Sequence, residues 1–119
     1  MSDTFSKDVK VFYPKFSKEE LVEDLKMSFS EISGKTRVER AMLFGSYAKK
    51  KNTAFSDIDI FVVVGDNYGI DSYSICWDII GIPEVELHIY SLYKFQAMKK
   101  AENSFLREVE RYGIDLMVP

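Results

Sequence analysis

The chain has 119 residues, of which 46% are hydrophobic and 29% are charged, a composition typical of a folded globular domain and not of a disordered chain. The net charge of −3 argues against a general nucleic-acid-binding protein, because phosphate backbones are bound by an excess of Lys and Arg. We expect neither a membrane span nor a signal peptide, and the single cysteine, Cys76, cannot form an internal disulfide, so the sequence predicts one cytoplasmic domain over residues 1–119.

The first predicted element is a helix that begins after Ser17. Ser17 and Glu20 match a capping box, in which each side chain accepts a hydrogen bond from the backbone N–H of the other residue. Apolar residues then recur at helical spacing as far as a break at Gly34: Leu21, Leu25, Phe29 and Ile32. Residues 1–16 form an N-terminal extension that is apolar enough to pack on this domain or against a partner, and the sequence leaves its packing open.

Strands and helices alternate over the rest of the chain. Three strands are predicted, over residues 37–44, 57–64 and 84–90. Three further helices are predicted, one capped by Asp71 and closed by Gly81 and Pro83, one capped by Ser91, and one from Asn103 to Gly113. Their core-facing residues are expected to be Ile75, Ile79, Ile80, Phe95, Met98, Phe105, Val109 and Tyr112. With a short extended tail over residues 115–118, this order predicts an α/β (α+β) domain, a small mixed sheet of three strands with helices packed on it.

Two carboxylates stand two residues apart at the start of the second strand. Residues i and i+2 of a strand point to the same side, so Asp57 and Asp59 would lie about 7 Å apart at Cα while Ile58 and Ile60 face the core. Two like charges this close raise one pKa unless a cation or a proton neutralises them. Because divalent metal ions prefer oxygen ligands, the pair predicts a metal site.

The first strand ends in a glycine and a serine. A strand that turns sharply into a helix N-terminus, here at residues 47–51, presents free backbone N–H groups to a phosphate. Gly45 would allow the backbone to approach closely, and the Ser46 hydroxyl could bond a phosphate oxygen. A strand, a turn and a solvated acidic pair are the simpler interpretation of either half alone. The two halves together, in this order and spacing, favour a site for a nucleoside triphosphate with its metal.

The motif Gly45-Ser46-Tyr47-Ala48-Lys49-Lys50, followed by Ser56-Asp57-Ile58-Asp59-Ile60, resembles that of the nucleotidyltransferase superfamily related to DNA polymerase beta. Within it, the chain is most similar to the small minimal nucleotidyltransferases of prokaryotes. The resemblance spans residues 37–116, with a motif core at about 37–90, and implies the polymerase beta-like nucleotidyltransferase fold. Lys49 stands where the family usually has Arg, and Lys50 where it usually has Gly. Lys keeps the charge but loses the bidentate fork of Arg.

The family has a third carboxylate on a later strand, and Glu86 is its best match here. Alternation along residues 84–90 places Glu86 and His88 on the face opposite Val85, Leu87 and Ile89. Glu86 could bind metal, act as a general base or be a solvated strand residue. The family motif assigns no role to His88, and the residue pattern alone predicts none.

The resemblance implies transfer of a nucleoside monophosphate from a triphosphate, ATP by expectation, to a hydroxyl group. Asp57, Asp59 and Glu86 are the implied catalytic and metal-binding residues, and they would hold two Mg²⁺ ions, with Mn²⁺ as an alternative. Gly45 and Ser46 would hold the β- and γ-phosphates. The run from Lys49 to Lys51 is either a positive wall beside the triphosphate or a solvated charge run, and Lys49 is the expected contact.

The family also implies the partner. Minimal nucleotidyltransferases commonly act as antitoxins that transfer AMP to a tyrosine of a HEPN-domain toxin, so a HEPN protein is the expected partner. Two alternatives remain open: nucleotidyl transfer to a small molecule such as an aminoglycoside, and a catalytically silent module that neutralises its partner by contact. A homo- or hetero-oligomer is plausible because so small a sheet leaves apolar surface to cover.

Overall fold

The computed structural model describes residues 17–45, 57–66 and 69–117. Four helices and four strands lie within these ranges: α1 Lys18–Ser33, β1 Val38–Phe44, β2 Ile58–Val64, α2 Gly69–Ile80, β3 Val85–Ser91, α3 Leu92–Lys100, α4 Ser104–Tyr112 and β4 Ile114–Asp115. The predicted capping boxes and breaks set several of these bounds. Ser17 and Glu20 make both reciprocal bonds of a capping box at α1, and the Ser91 hydroxyl accepts from the backbone N–H of Lys94 at the start of α3.

The strands form one mixed sheet in the order β3-β2-β1-β4. β1 runs antiparallel to β2 and to β4, whereas β2 runs parallel to β3. A parallel pair requires a crossover connection, which α2 supplies. The C-terminal end of β1 therefore lies beside the N-terminal ends of β2 and β3. This mixed sheet with packed helices confirms the predicted α+β fold class.

One face of the sheet is covered by α1 and α2. The predicted stripe of α1 is completely buried there, and Ile58 and Ile60 of β2 face it as expected. The core on this side is formed by Leu21, Leu25, Phe29, Ile32, Ala41, Leu43, Ile58, Ile60, Val62, Val64, Cys76, Ile80, Val85 and Leu116. Burial raises the pKa of the Cys76 thiol to about 11, so this cysteine is a packed, protonated residue, as its lack of chemical neighbours predicted.

The opposite face is covered by α3 and α4. Its core consists of Met42, Phe61, Val63, Phe95, Met98, Leu106 and Val109. Arg40 of β1 donates to the Glu110 carboxylate of α4 over 3.1 Å, and Lys99 lies 3.3 Å from the same oxygen. Helices thus pack on both faces, and the alternation of β2 sends Ile58 and Ile60 to one core and Phe61 and Val63 to the other.

Three details of the sequence prediction are wrong. Asp71 does not cap α2, which begins at Gly69; Asp71 lies in the first turn, where a negative charge also favours the helix dipole. The buried arc of α4 is centred on Leu106 and Val109, so Tyr112 is 47% exposed. The tail pairs with β1 as a fourth strand at Ile114–Asp115, because the adjoining Leu116 is buried in the first core and holds it against the sheet.

None of the described helices is both long and apolar enough to cross a membrane. Residues 1–16 and 46–56 lie outside the described ranges, and with them the predicted extension, Ser46 and Lys49. The division of the chain into one domain with an N-terminal extension therefore stays a prediction.

Candidate active site

The sheet places Asp59 between residues of two neighbouring strands. In the register of β2 it pairs with Glu86 of the parallel β3 and with Phe44 of the antiparallel β1. Asp59 shares the face of Phe61 and Val63, because side chains along a strand alternate. Asp59 and Glu86, distant in sequence, therefore stand side by side at one end of the sheet.

Asp59, Glu86 and His88 form an acidic cluster, a name kept for these three residues. One ligand atom from each lies within 4.8 Å of those from the other two. The Nε2 atom of His88 is 3.4 Å from Oδ1 of Asp59 and 3.7 Å from Oε1 of Glu86. Asp59 and His88 are half-buried, while Glu86 on the edge strand has 62% of its side chain exposed. The cluster therefore opens to solvent on the Glu86 side.

Burial is the first reason why the Asp59 carboxyl is hard to ionise. It raises the pKa of Asp59, and the neighbouring Glu86 carboxyl raises it further by hydrogen bonding and by charge repulsion. The His88 imidazole opposes both effects and lowers this pKa, but the net direction is upward. A nearby cation would stabilise the ionised form of such a carboxylate.

Gly45 closes the cluster from the end of β1. Its φ of +78° lies in the left-handed region that glycine adopts without strain. A Cβ atom placed at this residue would lie only 2.5 Å from Oδ2 of Asp59. Any other residue at this position would therefore strain the backbone, because of the positive φ, and would also clash with the Asp59 carboxylate.

Two aromatic rings surround His88. The Phe44 ring makes an edge contact with the imidazole at 5.1 Å between centroids, and Phe105 of α4 lies at 6.1 Å. Phe44 and Phe105 also contact each other at 5.4 Å, so the three rings form one group. This packing restricts the imidazole to one place beside the carboxylates.

Of the six predicted site residues, the structure brings together Asp59, Glu86 and Gly45. Asp57 is exposed, precedes β2 and does not belong to the acidic cluster. Ser46 and Lys49 lie outside the described residues. The cluster also contains His88, to which no role was predicted, although its spacing of two from Glu86 had placed it on the correct face.

The donor set of the cluster fits a divalent cation. Carboxylate oxygens are the ligands of Mg²⁺, and an imidazole nitrogen beside them also suits a transition metal such as Mn²⁺. The raised pKa of Asp59 points the same way, since a cation would relieve both the burial of its charge and the repulsion from Glu86. These residues could therefore hold the metal that the sequence motif predicts.

Comparison with known proteins identifies the class. The model of the family described as "Polymerase beta, Nucleotidyltransferase" matches residues 29–118, which is more than half of the chain. The chain belongs to this family and is a nucleotidyltransferase. The resemblance drawn from the Gly-Ser and Asp-x-Asp motifs is thereby confirmed.

Two individual proteins are similar to this chain. A protein of Methanocaldococcus jannaschii named "Putative protein adenylyltransferase" is 29% identical in an alignment 107 residues long, which covers 82% of this chain and 96% of that protein. A solved structure from Sulfolobus solfataricus, titled as a "putative nucleotidyltransferase", aligns with a TM-score of 0.55 at 17% identity, covering 83% of this chain and 81% of that one. The structural likeness confirms the predicted polymerase beta-like fold.

Proposed function

We propose that this protein is a metal-dependent nucleotidyltransferase that transfers AMP from ATP to a hydroxyl group. The acceptor oxygen forms a bond to the α-phosphorus, the bond from that phosphorus to the bridging oxygen of the β-phosphate breaks, and pyrophosphate leaves. The hydroxyl proton passes to a base or to solvent. The observation that carries this proposal is the pairing of Asp59 with Glu86 beside the left-handed Gly45.

Each residue has a distinct part in this proposal. Bound Mg²⁺ or Mn²⁺, two ions as in related phosphoryl chemistry, would neutralise the phosphate charge and polarise the α-phosphate. Asp59 and Glu86 would hold the metal, joined by Asp57 from just before β2. Gly45 would let the triphosphate approach the backbone closely, and Ser46 and Lys49, which follow it in the sequence, would bind the phosphate oxygens. Glu86 is exposed enough to serve instead as a base toward the acceptor.

The proposed acceptor is a tyrosine of a HEPN-domain toxin, and the protein would then act as the antitoxin in the cytoplasm. Two considerations support this choice. The similar protein of M. jannaschii is named for adenylyl transfer to protein, and the motif resembles that of minimal nucleotidyltransferases, for which such partners are typical. We propose a single catalytic domain over residues 1–119, which would depend on this partner to present the acceptor hydroxyl.

The test is a transfer assay with ATP labelled at the α-phosphate, Mg²⁺ and a HEPN-domain protein as the acceptor. We expect label on a tyrosine of the partner and none when Asp57→Asn and Asp59→Asn are combined. Label transferred at an unchanged rate by that double variant would contradict the assigned site. Label on an added aminoglycoside, or tight binding of the partner without label, would contradict the proposed acceptor.

A further inference from the structure

The acidic cluster contains a nitrogen ligand that the Asp-x-Asp motif does not provide. His88 follows Glu86 by two residues on β3, so both side chains emerge on the same face as Asp59. Its Nε2 atom is the atom that faces the two carboxylate oxygens, at 3.4 and 3.7 Å. We propose that His88 binds the catalytic metal directly through Nε2 and thereby makes this site select Mn²⁺ over Mg²⁺. The inference rests on the proposed metal-dependent function.

The spacing of the three ligand atoms is compatible with a shared ion. In an octahedral shell with ligands at about 2.1 Å, adjacent ligand atoms lie about 3 Å from one another. The two distances from Nε2, 3.4 and 3.7 Å, exceed this value by less than 1 Å. Glu86 has 62% of its side chain exposed, so its carboxylate can reorient toward a shared ion.

The imidazole is already held where a ligand must stand. Phe44 contacts one side of the ring and Phe105 lies beside it, which reduces the rotamer freedom that His88 would lose on binding an ion. The ring is also half-buried, with 30% of its side chain exposed. His88 is therefore preorganised next to Asp59 and is not a freely moving surface residue.

Ligand chemistry then decides the metal. Mg²⁺ prefers oxygen ligands and gains little from an imidazole, whereas nitrogen ligands suit the transition metals. The other ligands of the ion would be oxygens of two carboxylates and of a triphosphate, which are hard donors. This ligand set favours Mn²⁺ over softer metal ions that prefer thiolates. A site built from Asp59, Glu86 and His88 should thus bind Mn²⁺ more tightly than a site of carboxylates alone.

The competing role for His88 is that of a hydrogen-bond donor to Asp59 that never touches the metal. Ligating groups are often oriented by such partners, and their removal also weakens metal binding. Affinity alone cannot separate the two roles, so the measurement must detect the metal-nitrogen bond. This chain has one histidine, and any imidazole signal from tag-free protein therefore reports on His88.

The experiment is pulsed electron paramagnetic resonance of Mn²⁺ bound to tag-free protein without nucleotide, with titrations of Mn²⁺ and Mg²⁺. The matched variant is His88→Phe, which keeps an aromatic ring against Phe44 and Phe105, and circular dichroism checks its fold. We expect ¹⁴N coupling in the natural protein, its loss in the variant, and about a tenfold or greater loss of Mn²⁺ affinity with a smaller loss for Mg²⁺.

The outcomes separate the inference from the function on which it rests. Mn²⁺ that binds the natural protein without ¹⁴N coupling would overturn the role of His88 and leave the carboxylate site intact. Equal losses of Mn²⁺ and Mg²⁺ affinity in His88→Phe would overturn the selectivity. If the natural protein binds neither ion any better than Asp59→Asn does, the metal site itself is wrong and the proposed function fails with it.

Discussion

At Asp59, stability and activity favour different protonation states. The half-buried carboxyl beside Glu86 is more stable when it is protonated, whereas the proposed metal binding requires it to be ionised. Asp59→Asn removes the charge and keeps the shape. We predict that the metal-free variant resists urea better than the natural protein and transfers no AMP. Asp57→Asn is the matched control: Asp57 is exposed, so its replacement should change stability by no more than about 0.5 kcal/mol while also abolishing transfer. Lower stability of metal-free Asp59→Asn would contradict this account.

The same residue gives the stability a defined pH dependence. The pKa of Asp59 is raised by burial and then by Glu86, so the folded protein holds this proton more tightly than the unfolded chain does. Below the ordinary value of 3.8 both states are protonated, and the natural protein should match Asp59→Asn. As pH rises through the raised pKa of Asp59, the folded protein loses the stabilisation that this bound proton provides. Asp59→Asn, which does not ionise, then becomes the more stable of the two proteins. Urea titrations without metal should show that the difference in free energy of unfolding between Asp59→Asn and the natural protein grows as pH rises. A difference that stays constant with pH would contradict the assignment.

Added Mn²⁺ should reduce this difference, because an ion that binds the folded natural protein stabilises it.

A side chain at Gly45 would affect both the backbone, because φ is positive there, and the Asp59 carboxylate that lies beside it. Gly45→Ala should destabilise the protein by about 1–3 kcal/mol through its positive φ and should also abolish most of the transfer activity by displacing Asp59. Gly81→Ala is the matched control, since Gly81 has a φ of +64° but the nearest atom to its Cβ would be 3.9 Å away. It should lose comparable stability and keep its activity in the same urea and transfer assays. Full activity of Gly45→Ala would show that the close approach to Asp59 is unimportant.

At the scale of elements, local signals in the sequence predicted most of the structure. The capping box at Ser17, the stripe of α1 and the break at Gly81 depend on residues within a few positions of each other, and they are present as expected. The failures concern tertiary packing. The rotation of α4 that buries Leu106 and exposes Tyr112 depends on how that helix lies against the sheet. The pairing of β4 with β1 is likewise a contact between distant segments, which periodicity alone does not encode.

The capping box can be tested directly at this scale. Ser17→Ala removes the side chain that accepts from the backbone N–H of Glu20 and should destabilise the protein by about 1 kcal/mol. Ser30→Ala is the matched control, at an exposed position inside α1. It should cause no loss of stability, because Ala is a better helix former than Ser. Thermal or urea unfolding measures both. Since α1 covers the face of the sheet opposite the acidic cluster, transfer activity should survive in each variant.

At the scale of the whole molecule, the topology builds the site from segments that are distant in sequence. The crossover through α2 makes β2 and β3 parallel, and their register sets Glu86 beside Asp59. The Asp-x-Asp motif singled out Asp59, and Glu86 was the best match to the family's third carboxylate on a strand of alternating residues, so both rest on local patterns. The motif could not predict the imidazole, because the position of His88 depends on Phe44 from β1 and Phe105 from α4, which only the folded chain brings together.

We propose that Asp59 and Glu86 converge on a divalent metal that binds the nucleotide. The most direct test is a crystal structure with Mn²⁺ and a non-hydrolysable ATP analogue, using the anomalous signal of manganese to locate the ion. We predict a peak about 2.2 Å from carboxylate oxygens of both residues, with the analogue's phosphates reaching the same ion. Mn²⁺ and the analogue bound elsewhere, with the two carboxylates left without an ion, would contradict it.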